Sequence, residues 1–322
     1  MEHPPLLIPS IAVLIPCHNE ESTISKVVGD FRRVLPQAKI WVFDNVSTDR
    51  TAEAALAAGA TVVPSREKGK GNAVRHMFSA VEADIFIMVD GDSTYSADSA
   101  PALIQAFQDA SADMVVGRRC TPQEELAHAY RPMHRLGNDF VCWLIRTTFD
   151  APIRDIFSGY RVFSREFVKS APLYARGFEI EIEMTFQALS KGFRVLEIDT
   201  PYGSRPEGSV SKLDTYRDGL LVLRAFGSIC RDYRPGLFFG IIAVFFILLS
   251  LAAGAAPIID YMEYRYVYRL PLAVLATGLA IFGALSLCIS FILETQLRYH
   301  NELHSLIRRN SSRPRKQGNP LG

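Results

Sequence analysis

The sequence predicts an α/β domain built on a mostly parallel sheet, followed by a membrane-spanning hairpin. Three observations carry that expectation. Short apolar runs alternate with helical patterns through residues 11–116; one of these runs, Ile85–Val89, is unbroken by polar residues and leads into Asp90 and Asp92; and the last third holds two long uncharged stretches. An unbroken apolar run of strand length suits a strand buried on both faces, as in a parallel sheet covered by helices.

The elements follow in order. Ile11–Ile15 ends at Pro16 and is followed by CHNEEST, which predicts a strand and then a helix starting near Ser22. Ile40–Phe43 is a second strand; after it Ser47 or Thr48 is placed to cap an alanine-rich helix that stops at Gly59. Thr61–Val63 makes a third strand, REKGKGN a loop, and Ala73–Val81 a helix leading into the strand at Ile85. Asp113–Val116 is a fifth strand, ended by Gly117, Arg118 and Arg119. Strands alternating with helices of about 10 to 15 residues predict βαβ units. Farther on, His134–Thr148 and Phe178–Leu189 read as helices and Arg194–Ile198 as a strand, with RDIFSGYRVFSR between them offering phosphate-binding or basic groups.

Leu237–Ile259 and Leu270–Leu293 contain no charged residue, and each is long enough to cross a bilayer. Cations flank the pair: Arg231 and Arg234 before it, then Arg298, Arg308, Arg309, Arg313, Arg315 and Lys316 after it, whereas the 260–269 connection balances two acids with two arginines. By the positive-inside rule both flanks are cytosolic. Leu213–Tyr233 reads as an amphipathic helix, either at the membrane interface or packed on the domain. The expected divisions are 1–212 for the α/β domain, 213–234 for the juxtamembrane helix, 235–297 for the hairpin and 298–322 for a basic tail. The N-terminus lacks a signal-peptide pattern. Five scattered cysteines without CxxC spacing fit a reducing compartment and argue against structural zinc. A formal net charge of +1 points to no nucleic-acid partner, and the basic tail suits anionic lipid headgroups.

The carboxyl end of a strand in an open α/β sheet is where ligands bind. Asp90 and Asp92 there can hold a divalent cation against a diphosphate, because Mg²⁺ is usually bound by one or two carboxylates plus substrate phosphates. Gly91 lets a ligand approach the backbone closely. A bare Asp-x-Asp after a strand is also what a solvated turn looks like, so the pair takes its meaning from context.

That context is a series of motifs: IPCHNEE (15–21), DNVSTDRT (44–51), KGKGNA (68–73), DGD (90–92), GRR (117–119), DIFSGYR (155–161) and RPEGSVSK (205–212). Together they resemble a family 2 glycosyltransferase. More narrowly they resemble the polyprenyl-phosphate glycosyltransferases, the group that includes dolichyl-phosphate mannose synthase and GtrB-type enzymes. The resemblance implies a GT-A fold and inverting transfer of one sugar from a nucleotide sugar to a polyprenyl phosphate, undecaprenyl or dolichyl, by an integral membrane protein with a cytosolic catalytic domain. It implies that Pro16, His18, Glu20 and Asp44 line the nucleotide pocket. Asp90, Gly91 and Asp92 would take ribose, diphosphate and a Mg²⁺ or Mn²⁺ ion, while Arg119, Arg205 and Lys212 neutralise the departing diphosphate. A homo-oligomer is compatible with it.

Two departures touch the donor site: Asn45 stands where the family commonly has an acid, and Thr94 where mannose-type enzymes carry Gln. With the KGKG loop and DGDSTY, the absent Gln favours UDP-GlcNAc or UDP-glucose over GDP-mannose. Arg131 and Arg135 are candidates for the acceptor phosphate and Asp155 for a base or acceptor organiser, with a helix cap or an ion pair to Arg161 or Arg154 as its alternative role. Two rival functions are a processive polysaccharide synthase, which would carry a QxxRW segment absent here, and a non-enzymatic membrane-anchored partner retaining the fold.

Overall fold

The computed structural model describes residues 9–120, 142, 145, 146, 149, 151–177, 179–203, 227 and 230–311. The chain divides into two compact units, Met1–Val222 and Leu223–Gly322.

The first unit is a seven-stranded sheet in the order β3-β2-β1-β4-β6-β5-β7. Its strands are β1 (Ile11–Cys17), β2 (Lys39–Asp44), β3 (Thr61–Pro64), β4 (Ile85–Met88), β5 (Met114–Cys120), β6 (Arg161–Ser164) and β7 (Val195–Pro201). All neighbours run parallel except β6, which is antiparallel to both β4 and β5. The central strands are apolar throughout because both faces are covered. Ile11, Val13, Ile15, Ile85, Ile87 and Val89 enter one core, and Ala12, Leu14, Phe86 and Met88 enter the other.

Helices α1 (Ile24–Val34), α2 (Thr51–Ala57) and α4 (Ala100–Asp109) contribute to the first core; α3 (Lys70–Ala80), α5 (Arg165–Ser170) and α6 (Ile180–Ser190) contribute to the second. In α1 the buried residues Ile24, Val27, Val28 and Phe31 follow helical spacing. Each such side chain contributes roughly 1.5–3 kcal/mol on burial.

Several boundaries differ from the sequence expectation, each for a tertiary reason. Helix α2 starts at Thr51 because Ser47 and Thr48 are engaged elsewhere: the Ser47 Oγ accepts from the Asn19 N–H (3.0 Å) and the Thr48 N–H donates to Asn19 Oδ1 (2.7 Å). Helix α3 starts at Lys70 instead of Ala73, since Gly71 docks on neighbouring backbone and donates to the Arg176 carbonyl at 3.1 Å. Strand β5 runs on through Gly117, Arg118 and Arg119 because β7 pairs with it as far as Cys120.

The segment RVFS, which carries no alternating signal, is the antiparallel strand β6. Arg161, expected among phosphate-binding groups, is fully buried at its start. Its guanidinium donates to the Ser158 carbonyl (2.8 Å), the Ile156 carbonyl (2.6 Å) and Thr185 Oγ1 (2.8 Å), so it is committed to holding the 156–158 loop.

The second unit contains α7 (Pro235–Tyr264) and α8 (Leu270–Ser311), which pack antiparallel. Both are long and apolar enough to cross a membrane, over Pro235–Tyr264 and Leu270–His300. Because α7 continues to Tyr264, the connection is 265–269, shorter than the 260–269 expected. The Ser250 hydroxyl donates to the Ala276 carbonyl (2.7 Å) and that of Ser290 to the Gly236 carbonyl (3.0 Å), pinning the pair at two levels. Interhelical polar contacts of this kind hold helices together where lipid supplies no hydrophobic drive.

Candidate active site

Strand order reverses between β1 and β4: the chain builds outward through β2 and β3 on one side, then crosses to β4 on the other. This is the switch point at which loops leaving adjacent strands separate and open a crevice. Pro16 stands near the end of β1 and His18–Glu20 follow it, Asp44 ends β2, and Asp90–Asp92 follow β4. Because β6 is antiparallel, its start at Arg161 lies beside the end of β4 at Met88, which brings Gly159, two residues earlier, to the same edge.

The loops are tightly tied. Thr23 precedes α1 yet does not cap it; its hydroxyl donates to the Gly91 carbonyl at 2.7 Å, joining the β1 loop to the β4 loop. Glu20 N–H donates to Thr51 Oγ1 (2.8 Å), and Asp44 Oδ1 accepts from Ser47 N–H (3.2 Å). Asn45 Oδ1 accepts the Gly69 N–H at 3.0 Å and so positions the glycine-lysine loop. Asn19, Val46 and Ser93 adopt left-handed backbone at φ 54°, 58° and 61°. Each costs on the order of 1 kcal/mol or more in a non-glycine residue. All three lie in the loops after β1, β2 and β4, where surrounding hydrogen bonds hold that strain.

The two carboxylates have separate partners. Asp92 is 5% exposed, and its Oδ1 accepts from Thr94 Oγ1 (2.6 Å) and Thr94 N–H (3.2 Å). Asp90 pairs instead with Lys70 Nζ at 2.6 Å, and Lys70 in turn meets Glu181 at 2.5 Å. Burial alone would pull Lys70 down, but the Asp90 and Glu181 charges more than reverse it and hold the ammonium above lysine's ordinary value. Burial pushes Glu181 up, opposed by Lys70. Gly159 also approaches Asp90: an added Cβ would lie 2.5 Å from Oδ2. A Cβ on Gly91 would likewise lie 2.5 Å from Cys17 Sγ.

A second cluster sits where β5 ends. Asp155, 5% exposed, receives Arg119 through two parallel bonds, Nε to Oδ2 at 2.8 Å and a terminal nitrogen to Oδ1 at 2.7 Å, and also accepts the Arg119 N–H at 3.0 Å. This corrects the expected alternative of a cap or a pair with Arg161 or Arg154. The Arg154 and Asp155 N–H groups donate to Glu197, whose carboxyl burial pushes above its ordinary range. Arg119 also lies over the Tyr202 ring at 5.5 Å. Burial holds the Tyr95 phenol well above its usual value, so it stays neutral while accepting the Gly159 N–H at 3.0 Å.

Lys70 and Glu181 were not singled out by sequence reasoning. The signal was faint: a lysine inside KGKG, and an acid in the otherwise apolar run IEIEM, where Glu181 and Glu183 are both buried. Arg131, Arg135, Arg205 and Lys212 lie outside the described residues, as do most of 134–148 and 213–234. Among the described residues, no group of three or more His, Cys, Asp and Glu side chains is placed to hold a metal. The donors present, Asp92 and Asp90, are hard carboxylate oxygens of the kind that share Mg²⁺ or Mn²⁺ with a substrate diphosphate, so they fit such an ion in that shared mode.

A switch-point crevice with two carboxylates of unlike environment suits an anionic ligand accompanied by a divalent cation. Residues 12–170 match the family described as Glycosyl transferase family 2. The glycosyltransferase AglJ of Haloferax volcanii is 31% identical over 298 residues, covering 91% of this chain and 95% of AglJ. The chain belongs to glycosyltransferase family 2. A dolichyl-phosphate hexose transferase of the same organism is 26% identical over 224 residues, 70% of this chain and 95% of that protein. Glucosyl-3-phosphoglycerate synthase of Mycobacterium tuberculosis, solved with Mn²⁺, uridine diphosphate and phosphoglyceric acid, aligns with a TM-score of 0.56 at 19% identity, over 69% of this chain and 78% of that one. At that identity the likeness is one of fold, and the fold is GT-A.

Proposed function

We propose that the protein moves one sugar, with inversion, from a nucleotide sugar to a polyprenyl phosphate at the cytosolic face of a membrane. One observation carries the reading: a chain with Asp90 and Asp92 at the switch point of a family 2 domain also carries two helices long and apolar enough to cross a bilayer. A lipid-borne acceptor explains why one chain has both. The likeness to a dolichyl-phosphate hexose transferase supports the acceptor class. The Mn²⁺ and uridine diphosphate held by the mycobacterial structure support a divalent cation and a UDP-sugar, UDP-GlcNAc or UDP-glucose before GDP-mannose.

In this reading Pro16, His18, Glu20 and Asp44 line the nucleotide pocket, and Asp90 and Gly91 face ribose and diphosphate. Asp92, with Asp90 nearby, would hold Mg²⁺ or Mn²⁺, which when bound screens the diphosphate charge. An acceptor phosphate oxygen attacks the anomeric carbon while the bond from that carbon to the diphosphate breaks, its electron pair leaving on the nucleoside diphosphate. The acceptor is already anionic, so positioning and charge stabilisation dominate over base catalysis. Arg119, Arg205 and Lys212 stabilise the leaving charge, and Arg131 and Arg135 hold the acceptor phosphate. Asp155 sets the guanidinium of Arg119 in place, a role its paired hydrogen bonds support.

The test is to incubate membranes containing the protein with a panel of nucleotide sugars and either undecaprenyl or dolichyl phosphate, then identify the lipid product by mass spectrometry. A singly glycosylated polyprenyl phosphate is expected. Polymer, or no lipid product with any donor, overturns the proposal.

A further inference from the structure

Lys70 is held at a fixed point by Glu181 and directs its charge at Asp90, one of the two carboxylates that sequence alone would treat as equivalent metal ligands. Three observations make this a built arrangement. The Lys70 and Glu181 side chains are 13% and 3% exposed, so the pair is not an incidental surface contact. Gly159 also lies against Asp90, where an added Cβ would come within 2.5 Å of Oδ2, so the carboxylate has the ammonium at Oδ1 and a glycine beside it. The glycines on either side of Lys70 are fixed as well: Gly69 has φ +128° and donates to Asn45, and a Cβ on Gly71 would collide with the Ala175 carbonyl.

We infer that Lys70, anchored by Glu181, is a positioning residue that withholds Asp90 from metal coordination, so that the divalent cation binds appreciably only together with the nucleotide diphosphate. This rests on the proposed donor site. Without nucleotide, a cation meets Asp92, one of whose oxygens already accepts two bonds from Thr94, and an Asp90 whose carboxylate is already engaged by the Lys70 ammonium. Among the described residues no third metal-type side chain completes the shell. The diphosphate supplies the missing oxygens. Keeping the charge-paired carboxylate rigid also leaves it oriented as a hydrogen-bond acceptor for the nucleotide.

The test uses the full chain in detergent, with free Mn²⁺ counted by electron paramagnetic resonance in the absence and presence of UDP. For the parent protein, Mn²⁺ affinity is expected to rise at least about 100-fold when UDP is present, as the phosphates complete the site. Lys70→Met should raise the nucleotide-free Mn²⁺ affinity at least about 10-fold, the scale of removing one charge a few ångströms away at protein-surface dielectric. Because Lys70→Met leaves Glu181 buried and unpaired, the charge-balanced pair Lys70→Met with Glu181→Gln is measured beside it, and the same gain is expected. A structural role for Lys70 would leave nucleotide-free affinity where it is in both, and that result overturns the inference. So does a parent protein that binds Mn²⁺ equally well with and without UDP, a comparison that stands even if neither variant folds. Failure of the parent to bind Mn²⁺ under both conditions sinks the donor-site reading itself.

Discussion

Asp90 and Asp92 are one residue apart and chemically identical, yet the fold gives one an ammonium and the other a hydroxyl and a backbone N–H. Their substitutions should therefore differ. Asp92→Asn keeps side-chain volume and removes the one charge, so metal-dependent transfer should fall by about 10²-fold or more, the scale of losing a preorganised electrostatic contact, while thermal unfolding changes little. Rates within a few-fold of the parent would show that Asp92 is not where the cation sits. Asp155 behaves otherwise, because its carboxylate forms a paired contact with Arg119 and both side chains are largely buried. Asp155→Asn leaves the guanidinium half-satisfied, at a cost of roughly 2–3 kcal/mol in stability. Donor affinity should fall with it, tracking Arg119→Lys, and calorimetry beside single-turnover rates checks this. Normal stability and donor affinity with collapsed turnover would instead put Asp155 in direct contact with the acceptor.

At the scale of elements, the loops after β1, β2 and β4 work as one unit because each hydrogen-bonds to the next: Asn19 to Ser47 and Thr48, Asn45 to Gly69, Thr23 to Gly91. The 172–177 segment supports them from outside, with Glu183 accepting the Tyr174 and Ala175 N–H groups and Glu179 those of Arg176 and Gly177. Glycines report how tight this is. A Cβ at Gly71 would strike the Ala175 carbonyl, whereas one at Gly29, inside α1, meets nothing within 4 Å. Gly71→Ala is thus expected to destabilise by about 1–3 kcal/mol through overpacking. Gly29→Ala should stabilise by roughly 0.5–1 kcal/mol through helix propensity. Denaturant unfolding of the pair measures both, and equal effects would mean that the glycine-lysine loop is not docked on 175–176.

For the whole molecule, α8 has 42 residues, which at about 1.5 Å per residue is roughly 60 Å, near twice a bilayer core of about 30 Å. It therefore extends beyond any span. The 261–268 stretch carries Tyr261, Tyr264, Tyr266 and Tyr268, each more than half exposed, and Tyr268 packs against both Tyr264 and Tyr266, as suits a membrane–water interface. If the arginine bias sets orientation, a cysteine at Tyr266, 64% exposed, should react with an impermeant maleimide only from the face opposite the catalytic domain. Labelling from the cytosolic side would reverse the proposed topology.

The βαβ order, the buried strand at Ile85 and the two uncharged stretches were legible in the sequence because each depends on local pattern: apolar period, run length, and charge at the ends. The carboxylates at a strand terminus were legible for the same reason, since a strand's end is a local event. The partners were not. Asp155 meets Arg119 across 36 residues and Lys70 meets Glu181 across more than a hundred, and the antiparallel β6 comes to lie between β4 and β5 although it follows both in the chain. RVFS pairs with two strands at once and carries no alternation because both its faces are covered. Arg161, read from its motif as a group for phosphate, became a core residue because three carbonyl and hydroxyl acceptors surround it. Sequence by itself determined which residue types stand at the strand ends and that the chain has an apolar hairpin. Only the tertiary structure decided which charge faces which, because pairing in a buried site depends on through-space distance and desolvation, to which spacing along the chain is blind.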